Sequence, residues 1–94
     1  KLKKAEYMEN HIGETFEGVV SGITAYGMYV QLANTVEGMI KLESLNDDYY
    51  EYEAAKYRLV GRLSRKIYNL GDVMEIEVES VNLYRREINF IPAR

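Results

Sequence analysis

Apolar and polar residues alternate with a period of two along most of the chain after Gly13, the pattern of β-strands that bury one face. In the clearest segment, three apolar residues alternate with two polar ones: Met28, Val30 and Leu32 with Tyr29 and Gln31. The pattern predicts five strands: Thr15 to Thr24, Tyr26 to Leu32, Met39 to Leu42, a fourth in which Met74, Ile76 and Val78 face inward, and a fifth in which Ile88 and Phe90 do so.

Glycines and one break in phase predict how these strands bend. Gly18 and Gly22 lie inside the first strand, where glycine indicates a sharp bend or a close approach of another backbone. Val81 is out of phase with the fourth strand and predicts a bulge near Ser80. Because closure removes the exposed edges of a sheet, five short, bent strands favour a small barrel. We therefore predict an all-β fold, a five-stranded antiparallel barrel of the OB type.

Two segments do not follow the strand pattern. Residues Lys1 to Asn10 contain good helix formers with apolar residues three apart, so a short N-terminal helical segment is predicted, which Gly13 ends. Residues 46–70 contain five of the nine tyrosines, interleaved with charges, and are interpreted as an insertion made of a helical turn followed by a hairpin. The predicted organisation is a linker or helix end at 1–12 and a barrel domain at 13–94.

Composition narrows the class of protein. The 94 residues are 47% apolar and 29% charged, which is typical of one soluble globular domain, and no apolar run approaches the ~20 residues of a membrane span. The absence of cysteine suits a cytosolic protein, so a cytoplasmic monomer without membrane contact is expected. The net charge of −3 argues against nucleic acid, although a basic block at residues 56–66 could act locally.

The sequence lacks the parts of a catalytic or zinc site. It contains a single histidine, His11, no cysteine, and no serine with a neighbouring base in sequence. Asp47 and Asp48 could in principle hold Mg²⁺, but adjacent acids in a polar loop more often cap a helix or face solvent. We therefore expect no catalytic residue, no metal ligand and no cofactor in this chain.

Two tyrosines and a lysine form a candidate site for single-stranded RNA. Tyr26, Tyr29 and Lys41 would supply two rings that stack on bases and a cation that meets phosphate. The alternative is that the tyrosines only cover the barrel and expose their hydroxyls. Strict alternation places the two rings on opposite faces. A bulge at Gly27 would shift the phase and bring them to one face.

The last turn offers a second candidate pair. Asn82 and Arg86 are four residues apart across a predicted hairpin end, where the amide could hold the guanidinium in place. Arginine can pair with phosphate through two hydrogen bonds or stack on a base. An ordinary surface arginine on a turn is the alternative.

The order and spacing of several motifs resemble a known family. They are Gly18, Val20, Gly22, Ile23, the run Tyr26 to Val30, the run Glu37 to Ile40, Leu70 to Asp72, and Val78. From Gly13 to Phe90 the chain resembles the S-one RNA-binding domain, an OB-fold module. The run Asp47 to Tyr50, the segment Leu59 to Gly61 and the ending Ile88 to Phe90 further resemble the C-terminal S-one domain of ribonuclease R and ribonuclease II relatives.

The resemblance implies an RNA-binding face with two aromatic residues, a histidine, an aspartate and an arginine. These positions correspond here to Tyr26, Tyr29, Lys41, Asn82 and Arg86. Lysine in place of histidine exchanges a stacking ring for a charge, and asparagine in place of aspartate removes a partner for the arginine. The rings would still stack as the family's phenylalanines do.

The resemblance also implies a function. The chain would bind single-stranded RNA with little sequence preference, as the C-terminal clamp of a processive 3′-to-5′ exoribonuclease of bacterial type. Residues 1–12 would link it to a separate catalytic domain, which would hold Mg²⁺ and the hydrolytic residues, so this fragment would not be an enzyme. The alternative is a protein-interaction or ribosome-associated barrel that docks a partner through its tyrosine-rich insertion.

Overall fold

The computed structural model describes residues 8–45 and 48–93, which form eight strands. The strands are β1 (Thr15–Thr24), β2 (Gly27–Leu32), β3 (Glu37–Lys41), β4 (Tyr50–Glu53), β5 (Arg58–Gly61), β6 (Ile67–Asn69), β7 (Val73–Asn82) and β8 (Glu87–Pro92). Single 3₁₀ turns occupy Leu42–Ser44 and Ala54–Lys56. Across the described ranges, no helix has the length and apolar character needed to cross a membrane.

Five strands surround the main core in the order β1, β2, β3, β8 and β7, which closes on itself as in an OB-type barrel. Four junctions are antiparallel, whereas β3 and β8 are parallel and share one registered pair, Met39 opposite Asn89. The prediction of a wholly antiparallel barrel is therefore wrong. An odd number of strands cannot alternate in direction around a ring without one parallel pair, and here that junction is the least complete.

The predicted alternation accounts for the barrel core. The inward residues of β2 and β7 are buried as expected at Met28, Val30, Leu32, Ile76 and Val78. The predicted inward residue Met74 is only half-buried and packs against the edge of the core. Phe90 from β8 is fully buried and fills the space beside Gly38, where an added Cβ would lie 2.6 Å from the ring. The bulge predicted near Ser80 is confirmed by a register shift between Val78 and Ser80. Burial in the barrel therefore follows directly from the sequence pattern.

The insertion forms a second sheet with the order β4, β5, β6. The predicted hairpin is confirmed as β4 and β5, but the helical turn lies inside the hairpin, between its two strands, and a third strand follows. Leu59 is fully buried, and the rings of Tyr50 and Tyr68 lie 5.6 Å apart. Tyr50, Leu59 and Tyr68 are the insertion's part of one buried core cluster that also contains the barrel residues.

The predicted N-terminal helix lies mostly outside the described residues. Within the described part, Met8 and Glu9 are helical, and the chain then turns through Gly13, which has a φ of 90°. Two helical residues are too few to establish the predicted helical segment. Gly13 N–H donates to the Val78 carbonyl at 2.8 Å, so the turn is fixed to the barrel.

Candidate nucleic-acid interface

Tyr26 lies in the two-residue turn between β1 and β2, outside the alternating pattern. Its backbone N–H donates to the Thr24 hydroxyl at 3.1 Å, and that hydroxyl donates to the Gly27 carbonyl at 3.3 Å. The turn is therefore held by one threonine side chain, while the Tyr26 ring is 79% exposed. Because Tyr26 is not a strand residue, it can expose its ring beside the exposed Tyr29 without any change of phase in β2.

The bulge expected at Gly27 is not observed there. β2 begins at Gly27 with a φ of 152°, and an added Cβ would lie 2.2 Å from the Ile40 carbonyl oxygen. The register shift lies instead on β1, between Val20 and Gly22. Glycine is needed at position 27 for backbone conformation and for the close approach of β3.

Tyr29 packs over a glycine on the neighbouring strand. Gly22 is its register partner on β1, and a Cβ added there would lie 3.4 Å from the Tyr29 ring. The Tyr29 side chain is 39% exposed, less than that of Tyr26. One side of this ring is thus supported by β1, and the remainder is open for a planar ligand.

Lys41 ends β3 next to the turn that carries Tyr26. It is the register partner of Gly27, and the following Leu42 N–H donates to the Tyr26 carbonyl at 2.8 Å. Lys41 is exposed. The structure therefore brings Tyr26, Tyr29 and Lys41 together at one end of the β2–β3 pair.

The outer surface continues from Tyr29 across three further strands. Cross-strand partners form a row with the order Gly22, Tyr29, Met39, Asn89, Ser80. The Asn89 amide donates to the Ser80 hydroxyl at 3.1 Å, which links the last two members. Asn82 is two residues beyond Ser80, on the side of this row away from Lys41. Tyr29 thus lies between Lys41 and the β7–β8 turn on one continuous exterior, and Tyr26 lies at the Lys41 end of it.

The β7–β8 turn differs from its expected hydrogen bonding. The Asn82 side-chain oxygen accepts the Arg85 backbone N–H at 3.0 Å. The expected bond to the Arg86 guanidinium is not found among residues 8–45 and 48–93. Asn82 therefore shapes the turn itself. Arg86 is exposed with a φ of 58°, a conformation that costs a non-glycine residue ~1 kcal/mol or more, so backbone geometry does not explain an arginine here.

Acidic residues gather on another part of the barrel. Glu17 on β1 lies directly opposite Glu75 on β7, and Glu77 and Glu79 follow along β7. Near the tyrosines, Glu37 accepts a hydrogen bond from the Ser21 hydroxyl at 2.6 Å. Four of the acidic residues thus lie on β1 and β7 away from the tyrosines, which weakens the argument from net charge against a polyanionic ligand on the tyrosine side.

A cleft of about 840 Å³ separates the barrel from the insertion. Tyr26, Met39 and Lys41 line its barrel side, and Tyr49 and Leu63 line the insertion side. Sequence reasoning missed the last two as site residues. The available signal was a pair of large side chains in a polar segment with no place in the strand pattern, and both are largely exposed, at 72% and 78%.

Asp48 organises the insertion side of this cleft. Its carboxylate accepts hydrogen bonds from the Ser64 hydroxyl at 2.6 Å, the Ser64 N–H at 2.7 Å, the Tyr49 N–H at 2.6 Å and the Leu63 N–H at 3.1 Å. These bonds, led by the Ser64 hydroxyl, lower the pKa of Asp48 from 3.8 to about 2. Because protein donors surround the carboxylate, Asp48 has a structural role: it links its own loop to the loop that contains Leu63 and Ser64.

The residues considered for a metal site or for catalysis make structural contacts within the chain or lie outside the described residues. Asp47, the other acid of the considered Mg²⁺ pair, lies outside the described residues. The described part of the chain contains no group of three or more potential metal-ligating His, Cys, Asp or Glu side chains. His11 lies 2.9 Å from a Glu14 carboxylate oxygen and packs its ring edge against Phe16. These contacts give His11 a place in the packing of the N-terminal turn.

Comparison with known proteins gives a consistent result. The sequence matches the S1 (S-one) RNA binding domain over residues 9–91. It is 42% identical over 88 residues to ribonuclease R of Vibrio cholerae and 37% identical over 90 residues to ribonuclease R 1 of Lactococcus lactis. These matches cover 93% and 96% of the chain, which spans 11% of the length of each relative.

The fold is also similar to part of a solved ribonuclease. The Mycoplasma genitalium RNase R, in a complex with ribose-methylated single-stranded RNA, matches with a TM-score of 0.88 and 28% identity. The match covers 95% of this chain and 14% of that protein. Sequence and fold therefore point to the same relatives.

Proposed function

Since the chain belongs to the S1 RNA binding domain family, we propose that it binds single-stranded RNA on the exterior surface that carries Tyr26, Tyr29, Lys41, Asn82 and Arg86. The observation that carries this proposal is the grouping of two exposed tyrosine rings with an exposed lysine at one end of the β2–β3 pair. The complex of the similar Mycoplasma genitalium protein with single-stranded RNA supports it.

Each residue of the proposed surface would contact RNA or support the surface according to its side-chain chemistry. Tyr26 and Tyr29 stack on bases, and because every base has a π-face, stacking gives little sequence preference. Lys41 and Arg86 meet phosphates, Lys41 as a point charge and Arg86 through its forked guanidinium. Asn82 shapes the turn from which Arg86 projects, through its bond to the Arg85 N–H. The RNA strand then crosses the row that contains Tyr29, between Lys41 and Arg86.

The wider context proposed is the C-terminal RNA clamp of a processive 3′-to-5′ exoribonuclease similar to ribonuclease R. The relatives are ribonucleases R, and this chain corresponds to about a tenth of each. In this context hydrolysis and Mg²⁺ belong to a separate catalytic domain, and this monomeric, cytoplasmic domain only retains RNA. A surface that stacks bases without reading them suits an enzyme that must move along its substrate.

Binding of a fluorescent single-stranded oligoribonucleotide at several salt concentrations tests the RNA-binding proposal. Tyr29→Ala should weaken affinity about five-fold or more, given ~1–3 kcal/mol per stacked base, whereas Tyr29→Phe should keep it. Arg86→Ala should reduce the salt slope by about 1. If both alanine variants bind as the unaltered chain does, the proposed surface is wrong, and a salt slope near zero rules out phosphate contacts.

The absence of catalysis is tested separately. The purified chain, incubated with single-stranded RNA and Mg²⁺, should leave the RNA intact. Mg²⁺-dependent release of nucleotides would contradict the assignment as a non-catalytic domain. To exclude a contaminating nuclease, the activity must persist when the chain is purified again.

A further inference from the structure

The geometry points to a second nucleotide-binding position: we propose that the cleft between the barrel and the insertion accepts one unstacked base of the same single-stranded RNA, through Tyr49 and Leu63. This inference rests on the proposed function and extends it, because the tyrosine-rich insertion then contacts RNA directly. It gives a ligand to the two insertion residues that are most exposed around the cleft.

The cleft is continuous with the proposed RNA surface. Tyr26 and Lys41 belong to both, since they line the barrel side of the cleft and stand beside Tyr29. An RNA strand stacked on Tyr29 and Tyr26 therefore reaches the cleft without crossing another β-strand or turn. The volume of about 840 Å³ lies within the range of ~300–1,000 Å³ that is common for ligand clefts and has room for a base with its ribose.

The insertion side of the cleft is held in place before any ligand arrives. Asp48 accepts the N–H groups of Tyr49 and Leu63, and the Tyr49 carbonyl accepts the Arg62 N–H at 2.8 Å. Gly61 leaves the room for this arrangement, because an added Cβ would lie 2.5 Å from the Asp48 carboxylate. Backbone hydrogen bonds thus fix an aromatic residue whose ring is exposed, which lowers the ordering cost of binding.

Charge sets the orientation of the nucleotide. Among residues 8–45 and 48–93, Lys41 is the cation that lines the cleft, whereas Glu43 and Asp48 contribute negative charge to its other parts. A phosphate is favoured next to Lys41 and disfavoured near the two carboxylates. The base therefore points toward Tyr49 and Leu63, where a ring and an apolar side chain offer stacking and apolar contact.

A pair of charge substitutions tests the cleft. Leu63→Glu places a negative charge on the cleft wall and should weaken binding of an oligouridylate of about ten nucleotides at least five-fold. Leu70→Glu makes the same substitution at an exposed leucine outside the cleft and should leave affinity within two-fold. Leu63→Lys should strengthen binding. Because these leucines are exposed, loss of folding is not expected, and circular dichroism of the variants checks this.

Tyrosine substitutions and oligonucleotide length provide a second, independent test. Tyr49→Ala should weaken the ten-nucleotide ligand about five-fold or more but change the affinity for a ligand of about four nucleotides little, since the shorter strand can occupy the Tyr29 surface alone. Tyr49→Phe should retain affinity. Tyr57→Ala, which removes an exposed tyrosine of the insertion away from the cleft, should have no effect.

The outcomes separate the two proposals. If Tyr29→Ala weakens binding while Leu63→Glu and Tyr49→Ala do not, the cleft position is wrong and the RNA surface stands. If the unaltered chain does not bind RNA, both fail. Resonances of the Leu63 methyl groups and the Tyr49 ring should shift when RNA is added. Shifts confined to Tyr29 and its strand neighbours would also overturn the inference and leave the insertion as a surface for a protein partner.

Discussion

The barrel and the insertion are stabilised by different means. The barrel surrounds a contiguous apolar core in which Val30, Ile40 and Phe90 are fully buried, and its longest strands have ten residues. The insertion strands have three or four residues and add three buried apolar side chains, Tyr50, Leu59 and Tyr68, to the edge of that core. The insertion also contains a carboxylate, Asp48, that accepts hydrogen bonds from Tyr49, Leu63 and Ser64.

This difference suits the two parts for different roles in RNA binding. Tyr29 lies on a barrel strand whose other face is core, so its position is as rigid as the domain. Tyr49 and Leu63 flank short strands, and their backbone is fixed through one carboxylate. Segments with few buried contacts open locally at lower free energy than a core does. We therefore expect the insertion to unfold locally at a lower free energy than the barrel, whereas in its folded state it holds Tyr49 and Leu63 in place.

The largest effect should come from removing core volume in each region. Phe90→Ala removes a fully buried ring from the barrel and should reduce the free energy of unfolding by ~3–5 kcal/mol. Leu59→Ala removes the fully buried residue of the insertion and should reduce protection from hydrogen exchange mainly in β4, β5 and β6. Chemical denaturation and residue-resolved exchange measure the two effects. Equal loss of protection in the barrel of the Leu59 variant would show that the two regions unfold as one unit.

A smaller effect is expected from two glycines with positive φ. Gly27→Ala and Gly71→Ala both force alanine into a sparsely populated positive-φ conformation that costs about 1–3 kcal/mol. At Gly71 the new Cβ meets nothing within 4 Å, whereas at Gly27 it meets the Ile40 carbonyl at 2.2 Å. Gly27→Ala should therefore destabilise the protein more and also weaken RNA binding, because β3 and Lys41 must move. Thermal unfolding and RNA titration of both variants compare them, and equal losses would contradict the need for close approach at Gly27.

The barrel could be predicted from the sequence because its burial follows a local pattern. The sequence pattern identified β1 within its observed bounds and the buried residues Ile76, Val78, Ile88 and Phe90 of β7 and β8, whereas Met74 is only half-buried. The phase break at Val81 located the bulge near Ser80. Each of these signals depends on residues a few positions apart, so a single sequence contains it.

The site depended on contacts that the sequence does not display. Alternation placed Tyr26 in β2, but the Thr24 side chain holds it in the turn. Asp48 and Ser64 are sixteen positions apart, so their hydrogen bond, and the cleft wall it builds, has no local signature. The parallel junction of β3 and β8 likewise follows from closure of the ring. Residue types at the site were thus predictable, whereas their relative positions required the fold.

The smallest and most local effect is the loss of stability when Asp48 is protonated at low pH. Its pKa is lowered from 3.8 to about 2, so its contribution to stability is complete above about pH 4 and is lost as the pH falls toward 2. The amide resonances of Leu63 and Ser64 should report this loss with a midpoint near 2, and Asp48→Asn should abolish the transition. Asp72→Asn alters another aspartate that accepts one backbone N–H, from Asn69, and should leave that midpoint in place. A midpoint near 4 in the unaltered chain would mean that the four donors do not hold the carboxylate, and the insertion would then depend, as the barrel does, on buried apolar residues: Tyr50, Leu59 and Tyr68.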